Sequence, residues 1–173
     1  KHQAGIKYTV TAFPGDNGAA ANITSDVYAN GTFYDRWVSR DDQREDQRPR
    51  HRVNGYYNGT FGKLTVDFNG DLYRGSQTSR SNITETSEEY DDRFIQSANR
   101  IHNRLVANRA ILTHPLLGGT LSVGNEFTQT RREEDYETNN PMIPSSNTAI
   151  HDQNLAFFTE YTRSTPIGQL TAG

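Results

Sequence analysis

Apolar and polar residues alternate with a period of two along much of this chain. Ile6, Tyr8 and Val10 alternate with Lys7, Thr9 and Thr11, and Leu64, Val66, Phe68 and Leu72 alternate with Thr65, Asp67, Asn69 and Asp71. Phe157, Thr159 and Tyr161 alternate less cleanly with Phe158, Glu160 and Thr162. Successive side chains of a strand point to opposite faces, so this pattern predicts half-buried β-strands. A helical period is hard to find. Strands are expected near 5–13, 51–60, 63–76, 101–114, 119–132, 153–164 and 169–173, with further extended structure between Asp26 and Trp37. All six prolines fall where turns or loops are expected, as proline's missing amide requires.

One short phrase recurs three times: Gly62-Lys63-Leu64-Thr65-Val66, Gly119-Thr120-Leu121-Ser122-Val123 and Gly168-Gln169-Leu170-Thr171-Ala172. Each copy follows a tight, turn-like stretch. Long connections, 14–50 ahead of the first copy and 77–100 and 133–152 between the copies, are rich in Arg, Glu, Asn, Ser and Thr. Short turns on one side and long polar loops on the other are the build of an outer-membrane β-barrel. The expected fold is all-β, an antiparallel up-and-down meander of about seven strands that is part of a larger transmembrane barrel.

The middle hairpin fixes a register. With the turn centred on Leu117-Gly118, Arg109 faces Glu126 and Leu112 faces Val123. A charged side chain at the bilayer midplane costs about 2–4 kcal/mol on the lipid side, so Arg109 and Glu126 are expected to face the lumen. The same register places Asn108 and Asn125 on the outward face with Leu112, Val123 and Phe127.

Composition agrees with a wet interior. Only 32% of the 173 residues are hydrophobic, yet 10% are aromatic, which separates the chain from a disordered one. The net charge of −3 argues against a nucleic-acid partner. Fifteen of the 18 basic residues are Arg, but Arg44, Arg48, Arg50 and Arg52 interleave with Asp41, Asp42, Glu45 and Asp46, as on a solvated segment. The chain has no cysteine, which removes disulfides, thiolate catalysis and cysteine zinc sites. No apolar run approaches the roughly 20 residues of a membrane helix.

Asn54-Gly55-Tyr56-Tyr57-Asn58-Gly59 followed by Gly62-Lys63-Leu64-Thr65-Val66-Asp67-Phe68-Asn69 resembles barrel strands of the Bacteroidetes TonB-dependent receptors and their outer-membrane β-barrel relatives. The likeness continues through Asn103-Arg104-Leu105, Pro115 to Thr128, Ala156 to Ser164 and Gly168 to Gly173, and extends more loosely over residues 1–49. It implies an internal piece of a plugged barrel of about 22 strands in the bacterial outer membrane. It also implies nutrient uptake driven by the TonB complex through a plug that is missing here. The partners implied are outer-membrane lipid, a small-molecule or glycan ligand, and a surface lipoprotein. The residues that would contact the ligand are not identified, although 77–100 and 133–152 are where selectivity is expected to reside.

Other chemistry is weakly signalled. Asp67-Phe68-Asn69-Gly70-Asp71 starts like a calcium loop, but Leu72 and Thr78 stand where Gly and Glu are needed. The acidic runs Glu85, Glu88, Glu89, Asp91, Asp92 and Glu133, Glu134, Asp135, Glu137 are read as solvated, with calcium or a cationic ligand as the alternative. His2, His51, His102, His114 and His151 lack ligand spacing, and no catalytic motif, cofactor loop or metal site is expected. Asn22, Asn30, Asn58 and Asn82 begin sequons that carry no meaning in such a family. Trp37, Tyr28, Phe33 and Tyr34 are read as a small satellite core or a sugar-stacking patch. The rival reading of the whole chain is a soluble all-β module that binds carbohydrate or protein.

Overall fold

The computed structural model describes residues 1–12 and 17–173. Nine strands form one antiparallel sheet: β1 (His2–Thr11), β2 (Asn17–Ala29), β3 (Thr32–Gln47), β4 (Arg50–Phe61), β5 (Leu64–Ser87), β6 (Arg93–Leu116), β7 (Gly119–Thr138), β8 (Ser146–Thr165) and β9 (Gly168–Ala172). The lateral order is β1-β4-β5-β6-β7-β8-β9, with β3 beside the upper half of β5 and β2 beside β3. Each strand touches only its hydrogen-bonded neighbours, so the described residues form a single layer that does not close on itself.

The nine strands fill seven columns. β3 and β4 follow one another along β5 and are separated by Pro49, which has no amide to give to the ladder. There, residues 48–50 oppose only 75–76 of β5, a bulge that bends the strand and shifts its pairing. β1 and β2 lie along β4 and β3 in the same way. The expected end of the first strand at residue 13 lies outside the described residues.

The long polar connections are a correction. Residues 77–87 and 93–100 are the upper halves of β5 and β6, 133–138 and 146–152 belong to β7 and β8, and β2 and β3 fill most of 17–47. Loops on that side shrink to 30–31, 88–92 and 139–145. On the other side the turns are 62–63, 117–118 and 166–167, where turns were expected. Pro115 is a second correction: it lies inside β6, though beyond the end of the ladder to β5 at Thr65–Thr113.

The register of the middle hairpin is as expected, with Arg109 opposite Glu126 and Leu112 opposite Val123. The ion pair forms, Nε to Oε1 at 3.1 Å. Extending this register across the sheet sorts the side chains. One face of the lower half carries Ile6, Tyr8 and Val10 on β1, Val53, Tyr57 and Phe61 on β4, and Leu64, Val66, Phe68 and Leu72 on β5. It continues with Val106 and Leu112 on β6, Val123 and Phe127 on β7, and Leu155 and Phe157 on β8. The opposite face carries Lys7, Arg52, Asn54, Asp67, Asn69, Asp71, Arg109 and Glu126. Asn108 and Asn125 do fall on the apolar face.

Nothing in the described chain covers that apolar face. Ile101 is the sole buried hydrophobic residue among those described, while Ile6 is 83% exposed and Phe157 76%. The accessible surface is 12592 Å², against about 8,500 Å² for a compact monomer of this mass.

Leu117 and Gly118 close the middle hairpin with φ of 50° and 78°. Two left-handed residues match the twist of the flanking strands, but leucine is strained there. Leu117 is exposed, so Leu117→Asn is expected to raise the stability of the refolded chain by about 1 kcal/mol in denaturant titration. An unchanged midpoint would contradict this turn geometry.

Candidate functional site at the outer end of the polar face

The polar face runs the whole length of the sheet. In its lower half Arg52 is paired with Asp71 at 2.9 Å, Asn58 donates to Asp67 at 2.8 Å, and Asn54 donates to Asn69 at 2.9 Å. The three residues that imitate a calcium loop are therefore partners in a wall of hydrogen bonds. Phe158 lies flat against this wall over Gly124, its direct cross-strand partner, and the Arg109 guanidinium sits 5.7 Å from the Phe158 ring centre. Such half-exposed ion pairs contribute at most about 1 kcal/mol each. They keep the surface wet rather than hold the fold together.

Higher on this face β2, β3, β5, β6 and β7 border a recess of about 390 Å³, lined in part by Gln43, Glu45, Ser81, Asn99 and Tyr136. Asn99 donates to Glu134 at 2.8 Å, and Arg132 reaches the other oxygen of that carboxylate at 2.9 Å. The hydrogen bond from Asn99, and then that from Arg132 with its charge, hold the Glu134 carboxyl below its ordinary value. The Asn99 Oδ1 atom is buried and accepts no hydrogen bond.

At the outer tip, two hairpins are tied together by one buried carboxylate. Asp35 is 1% exposed. It accepts from the Ser87 hydroxyl at 2.8 Å, from the Glu88 amide at 3.2 Å and from the Arg36 amide at 2.7 Å. Ser87 Oγ in turn accepts the amides of Glu89 and Tyr90, so the turn after β5 is built on Asp35. This places Tyr90 against the Trp37 ring, with centroids 5.9 Å apart, and the Arg93 guanidinium 4.3 Å from the indole. The Tyr34 and Tyr90 hydroxyls share a hydrogen bond of 3.1 Å, which raises the Tyr34 hydroxyl above its ordinary value. Trp37 and Arg93 both belong to the polar face.

Beside them Asn30-Gly31 closes the β2–β3 hairpin, with φ of 50° and 81°. A bulge between Val27 and Tyr28 brings Tyr28 opposite Phe33, edge to face at 6.1 Å. Arg36 is doubly bonded to Asp26 at 2.7 and 3.2 Å and holds that carboxyl below its ordinary value.

The four aromatics expected to act together therefore divide. Trp37 and Tyr34 join Tyr90 and Arg93, whereas Tyr28 and Phe33 form a separate pair on the neighbouring turn. Asp35, Ser87, Tyr90 and Arg93 were not anticipated. The signal for Ser87 was present in Ser87-Glu88-Glu89-Tyr90, a hydroxyl placed to accept amides two and three residues on. The histidines stay dispersed, and among the described residues no group of three or more His, Cys, Asp or Glu could hold a metal ion. No helix is long and apolar enough to cross a membrane, which says nothing about crossing by strands. No family model matches the sequence, and no curated protein matches it.

Two outcomes follow. Ser87→Ala leaves Asp35 short of a donor and frees two amides, at a local cost of about 1–3 kcal/mol. Trp37 is the only tryptophan, so its emission should shift to the red and become more accessible to iodide. An unaltered spectrum would contradict the knot. For Glu134 the folded value is lowered, so its contribution to stability is present above the ordinary 4.5 and lost as pH falls through the lower folded value. Between about pH 5 and about pH 3 the wild type should lose more stability than Glu134→Gln. Parallel loss in both would refute the coupling.

Proposed function

We propose that this chain is a stretch of the wall of a bacterial outer-membrane receptor of the TonB-dependent kind. The outer end of its polar face would form part of the vestibule that receives a nutrient or glycan. The observation that carries the reading is the sorting of side chains by register. Apolar residues predominate on one face over Val53–Phe61, Leu64–Leu72 and Val106–Leu116, interrupted there by Asn108 and His114, and a bilayer crossing by a tilted strand takes about 9–11 residues. The band also steps toward the turn side across the sheet, from Ile6–Val10 on β1 to Leu155–Tyr161 on β8. Strands tilted to the membrane normal require such a drift.

Two further features support it. β5 and β6 each have 24 residues, far more than a crossing needs, so their upper halves extend outward by on the order of 45 Å along the strand. Seven columns are also fewer than the eight strands of the smallest barrels, so closure needs strands on both edges. A soluble binding module would cover one face of its sheet with a second layer, and here the apolar face is bare. The TonB complex, acting through a plug, and a surface lipoprotein remain partners suggested by the likeness of the strand phrases.

Phe68→Arg and Asn69→Arg test the membrane reading, because the two sites are adjacent and face opposite sides. Phe68→Arg should impair insertion of the refolded chain into lipid vesicles by about 2–4 kcal/mol, read as lost protease protection, and Asn69→Arg should leave it intact. Equal behaviour of the two variants, or a stable wild-type monomer in plain buffer with no affinity for vesicles, would overturn the reading.

A further inference from the structure

On the apolar face, directly above the band on β5 and β6, the register assembles a row of cationic residues and histidines. His51 pairs with Arg74, Arg74 with Arg104, Arg104 with Arg131, and Arg131 with His151. Arg74 is the next outward residue on its strand beyond Leu72, and Arg104 the next beyond Val106. All three arginines are exposed. Like charges directly opposite on neighbouring strands destabilise a sheet, so this arrangement is unfavourable unless something offsets it.

The chain offsets little of it. Glu133 pairs with Arg131 at 2.5 Å, but Arg74 and Arg104 make no ion pair among the described residues. Elsewhere in the sheet Arg36, Arg40, Arg52, Arg100, Arg109 and Arg132 are each matched with a carboxylate. The flanking histidines are engaged locally, His51 with Tyr8 at 2.6 Å and His151 with Gln129 at 2.9 Å.

We propose that Arg74, Arg104 and Arg131 form a binding site for the phosphate groups of an anionic lipid headgroup at the outer edge of the apolar band. The inference rests on the membrane reading above, because that reading places a lipid headgroup beside this row. The chemistry fits. Guanidinium groups bind phosphate oxygens in pairs, and neighbouring strands lie about 4.8 Å apart, so one phosphate can reach two arginines at once. Tyr8, which lies on this face one step below the row, has the amphipathic ring found at membrane interfaces.

The test uses the whole chain in two assays. Insertion into phosphatidylcholine vesicles is scored by protease protection, and retention of phosphatidic acid in detergent micelles is scored by native mass spectrometry. The double variant Arg74→Gln/Arg104→Gln should insert as the wild type does but retain phosphatidic acid roughly 10- to 30-fold more weakly. Arg109→Gln, on the polar face, should retain it fully. Millimolar inorganic phosphate should not displace the lipid. Equal retention by the wild type and the double variant would overturn the inference and leave the membrane reading standing. Displacement by inorganic phosphate would overturn the assignment to lipid. Failure of the wild type to insert into any vesicle would overturn the membrane reading and this inference with it.

Discussion

In a single-layer sheet, one register decides which medium each side chain meets. A slip of one residue would send Leu64, Val66, Phe68 and Leu72 to the polar face and bring Asp67, Asn69 and Asp71 to the apolar one. The ladders from β4 to β8 keep the sorting without interruption through the lower half. Tight turns at 62–63 and 117–118 set the alignment where it matters most, and cross-strand pairs such as Arg109–Glu126 reinforce it. The one shift beside β5, at Pro49, falls above the apolar band. There, both faces are polar, and the cost of re-registering is small.

The division of the strands into two zones has a physical reason. Below Leu72 and Val106 the two faces differ sharply, which suits a wall between lipid and water. Above them both faces are largely polar, with hydrogen-bonded side chains and several paired charges, which suits strands that stand clear of a bilayer. Order in the upper zone cannot come from apolar burial, since Ile101 is the only buried hydrophobic residue described. It comes from long ladders and from knots such as Asp35 with Ser87, where one carboxylate fixes a turn and so positions Trp37, Tyr90 and Arg93.

The lower half was legible in the sequence because alternation and tight turns are local signals. Arg109 opposite Glu126 followed from the position of Leu117-Gly118 alone. The upper half was not legible. Strands wetted on both faces carry no alternation, so 77–87 and 133–138 looked like loops. The residues of the outer site are also far apart in sequence: Asp35 lies 52 positions from Ser87, and only the β3–β5 register brings them together. The same holds for His51, Arg74, Arg104, Arg131 and His151, whose irregular spacing hides a single row.

The absence of cysteine makes a direct measurement of the central claim straightforward. Single cysteines placed in turn from Leu64 to Leu72 can carry a spin label in vesicle-inserted protein, with collision rates measured against oxygen and a water-soluble nickel chelate. The account predicts strict alternation, with 64, 66, 68 and 72 accessible to oxygen from the lipid and 65, 67, 69 and 71 accessible to the chelate. Equal access of the chelate to both sets would contradict it.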